Sequence, residues 1–293
     1  MTHIPVLLQE VVEGLQTHMG ETVLDATVGG GGHSEALCRS MGKGTFICLD
    51  ADEDAIARSR ERLISCGCSF NFYRTYYRNL DKALHEFGIT GVHRILFDLG
   101  LSSFQLEESG RGFSFMRNEP LMMTFARSMG ENDITARTIV NEWSADTLAT
   151  LLESYGEERQ ARCIAARIVE ARTRAPIETT FELAAIVESV VKRKGKIHPA
   201  TKTFQALRIA VNDEFQGLKE GLAKAWEALL PGGRMAVISF HSMEDRVVKD
   251  LFRELSKQGQ GLPVTKKPIV PREKEIAENP RSRSAKLRII EKV

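Results

Sequence analysis

The sequence predicts an α/β fold, namely a doubly wound, Rossmann-like sheet interrupted by an inserted helical domain. In roughly the first 100 residues, strand-length apolar segments alternate with amphipathic helix-length segments, a pattern typical of a parallel sheet covered by helices. The alternation then stops, and the chain reads as mostly helical before strands return towards the C-terminus. We therefore expect an α/β domain made of residues 1–106 and 206–293, with the helical domain at residues 107–205.

The first apolar strands each lead to an acidic residue. The strand predicted at Thr22–Val28 runs into a loop of four glycines, and Ser34 after the loop suits the N-cap of a helix. The strands predicted at Gly44–Asp50 and Arg94–Leu99 are equally apolar, and each has an aspartate at or near its end. The other elements predicted in this part are a short amphipathic helix at 54–63 and a weaker strand at 69–74.

The inserted segment and the C-terminal part follow a different pattern. Helical periodicity dominates from Asp133 to Gly195, with breaks at Gly156 and Pro176. The elements predicted after it are a helix at 213–230, a strand at 234–240, a helix at 244–255 and a strand at 286–291. His241 lies between a strand and a helix, where it could either contact the substrate base or cofactor or cap the helix.

Composition indicates an ordinary globular protein and leaves its ligands open. Of the 293 residues, 42% are hydrophobic and 27% are charged, and the net charge is +1. The apolar runs are too short for a transmembrane helix, and the N-terminus lacks the basic region of a secretion signal. Five cysteines without a C-x-x-C pair fit the reduced thiols of a cytoplasmic protein. The scattered histidines predict no metal site.

Two basic segments favour a nucleic-acid partner. Residues 189–212 contain six lysines and arginines and no acid, and residues 263–293 contain nine against four glutamates. Such patches suit a phosphate backbone, although a solvated surface would show the same pattern. Phe204 could stack on an RNA base, but a core position is the more common environment for phenylalanine. The candidate RNA-binding residues are Lys192, Arg193, Lys202, Arg208, Arg281 and Arg283.

The glycine loop predicts a nucleoside-binding site. Glycines between a strand and a helix let the backbone approach a ligand closely, and Asp50 closes the next strand at the spacing of a ribose-binding carboxylate. NAD, FAD and S-adenosylmethionine all fit these two features. Asp25, just before the loop, favours S-adenosylmethionine, because an acid suits a sulfonium and an ammonium group and would repel a pyrophosphate. The alternative is a structural turn beside an incidental acid.

Asp98 is the candidate catalytic residue, because it ends a strand where the ligands of open α/β sheets gather. Ser102 and Ser103 follow it and could orient a methyl acceptor; a carboxylate that caps the next helix is the alternative. No cysteine follows a proline, which argues against the cysteine nucleophile needed to methylate C5 of a pyrimidine. An exocyclic amine needs only an acceptor such as Asp98 at its N–H, which favours the lone pair on nitrogen.

Long motifs occur along nearly the whole chain. They are HIPVLL at 3–8, the segments 25–34 and 98–105, RGFSF at 111–115, GEER at 156–159, HPATKTFQALR at 198–208, GGRMAVISFHSMEDR at 232–246 and NPRSRSAKLR at 279–288. In this order they resemble the bacterial 16S ribosomal RNA cytosine-N4 methyltransferases, the MraW or RsmH family. A glycine loop alone would be weak support, whereas so many long motifs in one order make a chance similarity implausible.

The resemblance implies a class I methyltransferase fold and methyl transfer from S-adenosylmethionine to N4 of a cytidine in the decoding region. The implied partner is the small ribosomal subunit with its 16S RNA, and the helical insertion would recognise this substrate. Tyr77 stands where the family usually has phenylalanine, and its ring could pack on adenine. The implied cofactor contacts are Gly31, Gly32, His33, Asp50, Tyr77, Asp98 and Gln105.

The chain departs from the family pattern next to the expected active site. After RGFSF the family reads Pro-Leu-Asp-Met-Arg-Met-Asp, whereas this chain has Pro120-Leu-Met-Met-Thr-Phe-Ala126, so two acids and an arginine are missing. Glycine at 30 replaces a common arginine, and Phe104 replaces a usual proline. Three functions remain open: an RNA N-methyltransferase, a small-molecule methyltransferase and a non-catalytic ribosome-binding protein. The motifs favour the first, the basic segment 189–212 argues against the second, and the departures at 122–126 keep the third open.

Overall fold

The computed structural model describes residues 4–101, 104, 106, 109–125, 134–193, 195 and 198–293. The chain divides into two compact units, one formed by Met1–Gly100 with Phe215–Val293 and the other by Leu101–Glu214. The second unit extends a few residues beyond the expected 107–205 at both ends. At its C-terminal end the reason is that Phe204 and Leu207 pack into the helical core of the second unit.

The first unit contains a seven-stranded sheet. Its strands are β1 (Thr22–Asp25), β2 (Thr45–Asp50), β3 (Ser69–Arg74), β4 (Val92–Asp98), β5 (Leu229–Ser239), β6 (Gly261–Pro263) and β7 (Lys286–Lys292). Their order is β3-β2-β1-β4-β5-β7-β6. Neighbours from β3 to β5 are parallel, and β7 is antiparallel to both β5 and β6. The predicted doubly wound α/β sheet is confirmed, while β6, at three residues, is too short to show a periodic pattern.

The helices lie at the places where the sequence is amphipathic, with three additions. They are α1 (Leu8–Leu15), α2 (Gly32–Met41), α3 (Glu53–Leu63), α4 (Leu80–Glu86), α5 (Ala136–Glu142), α6 (Ala145–Gly156), α7 (Ala161–Arg172), α8 (Thr180–Val190), α9 (Thr201–Asn212), α10 (Glu214–Ala228), α11 (Ser242–Lys257) and α12 (Glu273–Glu278). Helices α1, α4 and α12 were not predicted, since eight, seven and six residues give little periodicity. No helix in the described part of the chain is long and apolar enough to cross a bilayer.

The sheet of the first unit is covered on both faces. Successive side chains of a strand point to opposite faces, so Leu24 and Ile47 pack with α4, α10 and α11 on one side. Val23 and Phe46 pack with α1, α2 and α3 on the other side. Burial of both faces explains why these strands read as continuous apolar runs rather than as alternating ones.

The topology places three aspartates at one edge of the sheet. Asp25, Asp50 and Asp98 are the last residues of β1, β2 and β4, and these strands are parallel. The strand order reverses between β1 and β4, which makes this the switch point where open α/β sheets bind ligands.

The second unit is a helical bundle with its own core. The helices α5, α6 and α8 begin with the side-chain N-caps Thr135, Ser144 and Thr179. Thr179 also forms a capping box with Glu182, which satisfies two backbone N–H groups at the start of α8. The core consists of the apolar faces of α5 to α9.

The cysteines correct one expectation. Cys38 and Cys68 are joined as a disulfide, whereas the sequence predicted reduced thiols. The pair links the last turn of α2 to the residue that precedes β3. The two positions are 30 residues apart, and without a C-x-x-C spacing their proximity becomes visible only in the fold. Cys48, Cys66 and Cys163 are free thiols.

Candidate functional site

The glycine loop after β1 is held in place by Asp50. Gly29 and Gly31 have φ angles of 51° and 75°, a region that glycine enters without the steric cost that a Cβ adds. The Asp50 carboxylate accepts hydrogen bonds from the N–H groups of Gly29 and Asp52, both at 2.9 Å. A carboxylate offers about four acceptor positions, so Asp50 can support the loop and still accept hydrogen bonds from a ligand.

The pKa of Asp50 is raised to about 6, because burial disfavours its charge more than the two backbone hydrogen bonds favour it. The carboxylate is therefore mostly ionised at neutral pH. An ionised acceptor at the end of β2 matches the expected ribose-binding role.

Asp25 lies beneath the loop, not in front of it. Its side chain is buried, at 1% exposure, and burial raises its pKa. One carboxylate oxygen accepts from the Ser34 hydroxyl at 2.6 Å, and the other accepts from the Thr27 N–H at 3.2 Å. Asp25 thus ties β1 to α2, a placement that does not suit the expected contact with a cationic ligand. Ser34 serves this link and is not the N-cap that the sequence predicted, since α2 begins at Gly32.

Asp98 is the last residue of β4, and its two carboxylate oxygens have different surroundings. Its backbone N–H donates to the Thr27 hydroxyl at 2.6 Å, and its Oδ2 lies 3.5 Å from Nδ1 of His33. Oδ1 is buried and has no hydrogen-bond partner among the described residues. Burial, and next the negative charge of Glu244, raise the pKa of Asp98 to about 7. A carboxyl of this kind can exchange a proton near neutral pH.

His33 turns both ring nitrogens towards the protein. Nε2 lies 2.9 Å from the carbonyl oxygen of Val6, and Nδ1 faces Asp98. The side chain is 7% exposed, and burial lowers its pKa. The cofactor contact that the resemblance implies for His33 would therefore involve its backbone, and the function of the imidazole is a separate question.

Tyr77 follows β3 at the start of a 3-10 turn, Tyr77–Asn79. Its ring packs edge-on against Phe97, with 5.8 Å between the ring centroids. Gly221 of α10 makes room for it, because a Cβ at that position would lie 2.7 Å from the tyrosine ring. The predicted residues Ser102, Ser103 and Gln105 lie outside the described residues.

His241 caps a helix, one of the two roles that the sequence left open. Its Nδ1 accepts from the Glu244 N–H at 3.3 Å at the start of α11. The Glu244 carboxylate in return accepts from the backbone N–H groups of Phe240 and His241. This capping box keeps Glu244 buried, where its charge acts on Asp98.

The predicted RNA-binding residues differ in their exposure. Lys192, Arg193, Arg281 and Arg283 are exposed. The Lys202 ammonium donates to the Glu157 carbonyl at 2.7 Å. Arg208 is 12% exposed and donates twice to Glu214, at 2.7 and 2.8 Å. Phe204 is a core residue at 4% exposure. A phosphate would have to displace existing contacts of Lys202 and Arg208, so these two residues are poorly placed to bind RNA.

The segment that departs from the family pattern is well anchored within the second unit. The side chain of Asn212 accepts from the Phe125 N–H at 2.9 Å and donates to the Met123 carbonyl at 2.7 Å. Arg111 donates to the Phe125 carbonyl at 2.6 Å, and Leu121 is fully buried. These contacts hold residues 121–125 without the acids and the arginine that the family usually has there.

Some of these positioning residues were missed in the sequence. Thr27 and Arg111 lie inside motifs without a pattern that marks their hydrogen bonds. Asn212 had a usable signal, because it is a buried polar residue at the end of an otherwise apolar helix face, and such groups need partners. The contact between the Val6 carbonyl and His33 could not be predicted, because every residue type offers the same backbone carbonyl.

Comparisons with known proteins agree along the full length of the chain. Residues 1–293 match the family model described as the MraW methylase family. A protein of Persephonella marina named ribosomal RNA small subunit methyltransferase H is 45% identical, over 99% of both chains. Proteins of the same name from Thermomicrobium roseum and Finegoldia magna are 46% and 39% identical. They cover 100% and 99% of this chain and 94% and 98% of their own lengths.

Proposed function

The chain belongs to the MraW methylase family and is an rRNA methyltransferase that uses S-adenosylmethionine, and we propose that it methylates N4 of a cytidine in the decoding region of 16S RNA. The observation that carries this proposal is Asp98, which has a buried carboxylate oxygen without a partner among the described residues, at the switch point of the sheet. A ribosomal substrate also supports a cytoplasmic location.

The residues at the loop suit S-adenosylmethionine. A Cβ at Gly29 or Gly30 would meet no side chain and at most one backbone oxygen, at 3.9 Å, so the loop has open space beside it. In the proposed site, the backbone of Gly31 to His33 lines the cofactor, Asp50 accepts from the ribose hydroxyls and the Tyr77 ring packs on adenine. The bound cofactor supplies a methyl group activated by its sulfonium.

Asp98 provides what an aromatic amine needs in order to act as a nucleophile. The lone pair of a cytosine N4 amine is delocalised into the ring, which makes the nitrogen a weak nucleophile. A hydrogen bond from its N–H to Oδ1 of Asp98 favours the lone pair on nitrogen. When the N–C bond to the methyl group forms, an N–H bond must break, and Oδ1 takes that proton. The raised pKa of Asp98 suits it for this step at neutral pH.

The choice of cytidine N4 and of the decoding region rests on the motifs alone, while the names of the relatives support small-subunit ribosomal RNA as the substrate. The exposed cations support an RNA substrate in general. In the proposed complex, Lys192 and Arg193 in the second unit and Arg281 and Arg283 in the first contact phosphates.

The test is transfer of radiolabelled methyl groups from S-adenosylmethionine to small ribosomal subunits that lack this modification. We expect label in N4-methylcytidine after the RNA is digested to nucleosides, and none in subunits that carry the modification already. Asp98→Asn should reduce turnover far more than RNA binding. Cofactor binding without label in RNA would refute the proposal, and label on another nucleoside would refute the cytidine target.

A further inference from the structure

The His33 side chain connects the end of β4 to the N-terminal segment of the chain. The ring sits between the Val6 carbonyl, at 2.9 Å from Nε2, and the Asp98 carboxyl, at 3.5 Å from Nδ1. Both ring nitrogens are thus accounted for by protein atoms. The imidazole is not needed for the cofactor contact described above, which leaves its purpose unassigned.

The Val6 contact determines the tautomer of the ring. A carbonyl oxygen can only accept a hydrogen bond, so Nε2 must carry a hydrogen. Burial lowers the pKa of His33, which favours the neutral ring. A neutral ring protonated at Nε2 has a lone pair on Nδ1. Nδ1 lies 3.5 Å from Oδ2 of Asp98.

A lone pair facing a carboxylate oxygen is unfavourable unless a proton lies between them. We propose that His33 is a positioning residue that holds the proton of the Asp98 carboxyl on Oδ2, and so keeps Oδ1 as the hydrogen-bond acceptor for the methyl acceptor. This inference rests on the proposed function of Asp98. It adds the reason why one carboxyl oxygen, Oδ1, is buried without a partner in the part of the chain that the structure describes.

Asp98 and His33 together can also take up the proton that the amine releases. When the amine proton moves to Oδ1, the proton on Oδ2 moves to Nδ1 of His33. One N–H bond breaks and one O–H bond forms on Oδ1, while one O–H bond breaks and one N–H bond forms on the ring. The positive charge then resides on His33, whose Nε2–H is already bonded to the Val6 carbonyl.

Residues from both chain termini fix the position of the Val6 carbonyl. The Leu7 N–H donates to the Glu275 carboxylate at 2.7 Å, and the Asn279 amide donates to the Ile4 carbonyl at 3.1 Å. We call residues 4–7 the N-terminal strap. Because α12 and the residue after it hold the strap, they also hold the imidazole.

Other charged groups face this pair, and each element packed around it contributes. Around Asp98 they are Asp25 of β1 and Glu244 of α11. Around His33 they are Asp25 again, Arg62 of α3 and Glu275 of α12. The acids near Asp98 oppose its ionisation and therefore favour a protonated carboxyl. At His33, Asp25 and Glu275 favour the charged ring, whereas burial and Arg62 oppose it.

The direct test is nitrogen NMR of the free protein labelled in its histidines, at pH 7 and without cofactor or RNA. We expect His33 to show the neutral form with hydrogen on Nε2. Its signals are those missing in His33→Gln and, if that variant does not fold, in His33→Asn. An Nδ1–H tautomer or an imidazolium at pH 7 would overturn the proposal.

The second test separates positioning from simple packing. In His33→Gln the amide can still donate to Val6, but no acceptor faces Oδ2. We expect the pKa of the Asp98 carboxyl, followed by carbon NMR, to fall by about 1 unit because the protonated form loses its partner. Turnover should fall about tenfold or more while the KM for RNA changes little. An unchanged Asp98 titration would refute the inference.

Failure of this inference differs from failure of the proposed function. The NMR titrations use free protein and need no RNA. If they give the expected tautomer while ribosomal subunits take up no label, the proton placement stands and the proposed function fails. If subunits are labelled and the tautomer is wrong, the reverse holds.

Discussion

Replacing Asp98 with asparagine should make the free protein more stable at neutral and alkaline pH. The folded protein raises the pKa of this carboxyl from 3.8 to about 7. The folded state therefore binds the proton more tightly than the unfolded state, and the wild-type protein loses stability as pH rises between these values. An amide does not ionise, so the Asp98→Asn variant does not lose this stability as pH rises.

The size of the effect follows from the pKa shift. Each unit corresponds to about 1.4 kcal/mol, so the approximately two units between pH 5 and pH 7 amount to almost 3 kcal/mol. The Asp98 side chain is 20% exposed, and screening by water reduces this to about 2 kcal/mol. Relative to wild type, the variant should thus gain about 2 kcal/mol between pH 5 and pH 8.

The assay is urea unfolding of both proteins, followed by circular dichroism at about pH 5 and about pH 8 without cofactor. Asp250→Asn is a matched control, because that carboxylate is half exposed on α11 and forms an ion pair with Arg253. It should differ from wild type by less than about 1 kcal/mol at both pH values. A variant Asp98→Asn that gains nothing between the two pH values would refute the assignment of a buried, destabilised charge.

Three further predictions concern the loop, the second unit and the RNA contacts. Gly32→Ala should weaken S-adenosylmethionine binding in calorimetry, because the added Cβ would collide with Pro5 of the strap. Gly30→Ala is the control, since its Cβ meets no atom, and it should bind S-adenosylmethionine normally. Equal affinities of the two variants for S-adenosylmethionine would contradict this prediction. Asn212→Ala should lower the free energy of unfolding by about 2–4 kcal/mol, since it leaves two backbone groups of the 121–125 segment unpaired. A loss below about 1 kcal/mol would argue against these two hydrogen bonds. Arg283→Ala should weaken RNA binding and reduce the slope of log binding constant against log salt concentration by about 1. Arg208→Ala should instead reduce the stability of the protein, because it removes the ion pair with Glu214. An unchanged salt slope in Arg283→Ala would exclude a phosphate contact of this residue.

Much of the sheet was predictable because its strands are buried on both faces. Continuous apolar segments such as TFICLD mark such strands clearly, and the glycines between β1 and α2 mark a tight connection. The short elements α1, α4, α12 and β6 were not predicted. Their positions depend on tertiary contacts, and segments this short contain too few residues to show a periodic pattern.

The candidate site was predictable in its residues and less so in their roles. The aspartates were found because parallel strands bring their ends to one edge. The sequence could not distinguish an aspartate whose two oxygens are both hydrogen-bonded, such as Asp25, from one with an oxygen that has no partner among the described residues, such as Asp98. Ser34 and His241 show the same limit, since a hydroxyl or an imidazole near a helix start can cap, link or bind, and only the coordinates decide which.

The N-terminal strap also has a consequence for the order in which the protein matures. Residues 4–7 are synthesised long before Glu275 and Asn279, the groups that hold them. Strand β5 similarly joins β4 only after the second unit has been synthesised, and that unit can fold earlier through its own contacts. A nascent chain would therefore carry a folded second unit while β4 still lacks its neighbour β5. The N-terminal strap should take its final position only after residues 275–279 have been made.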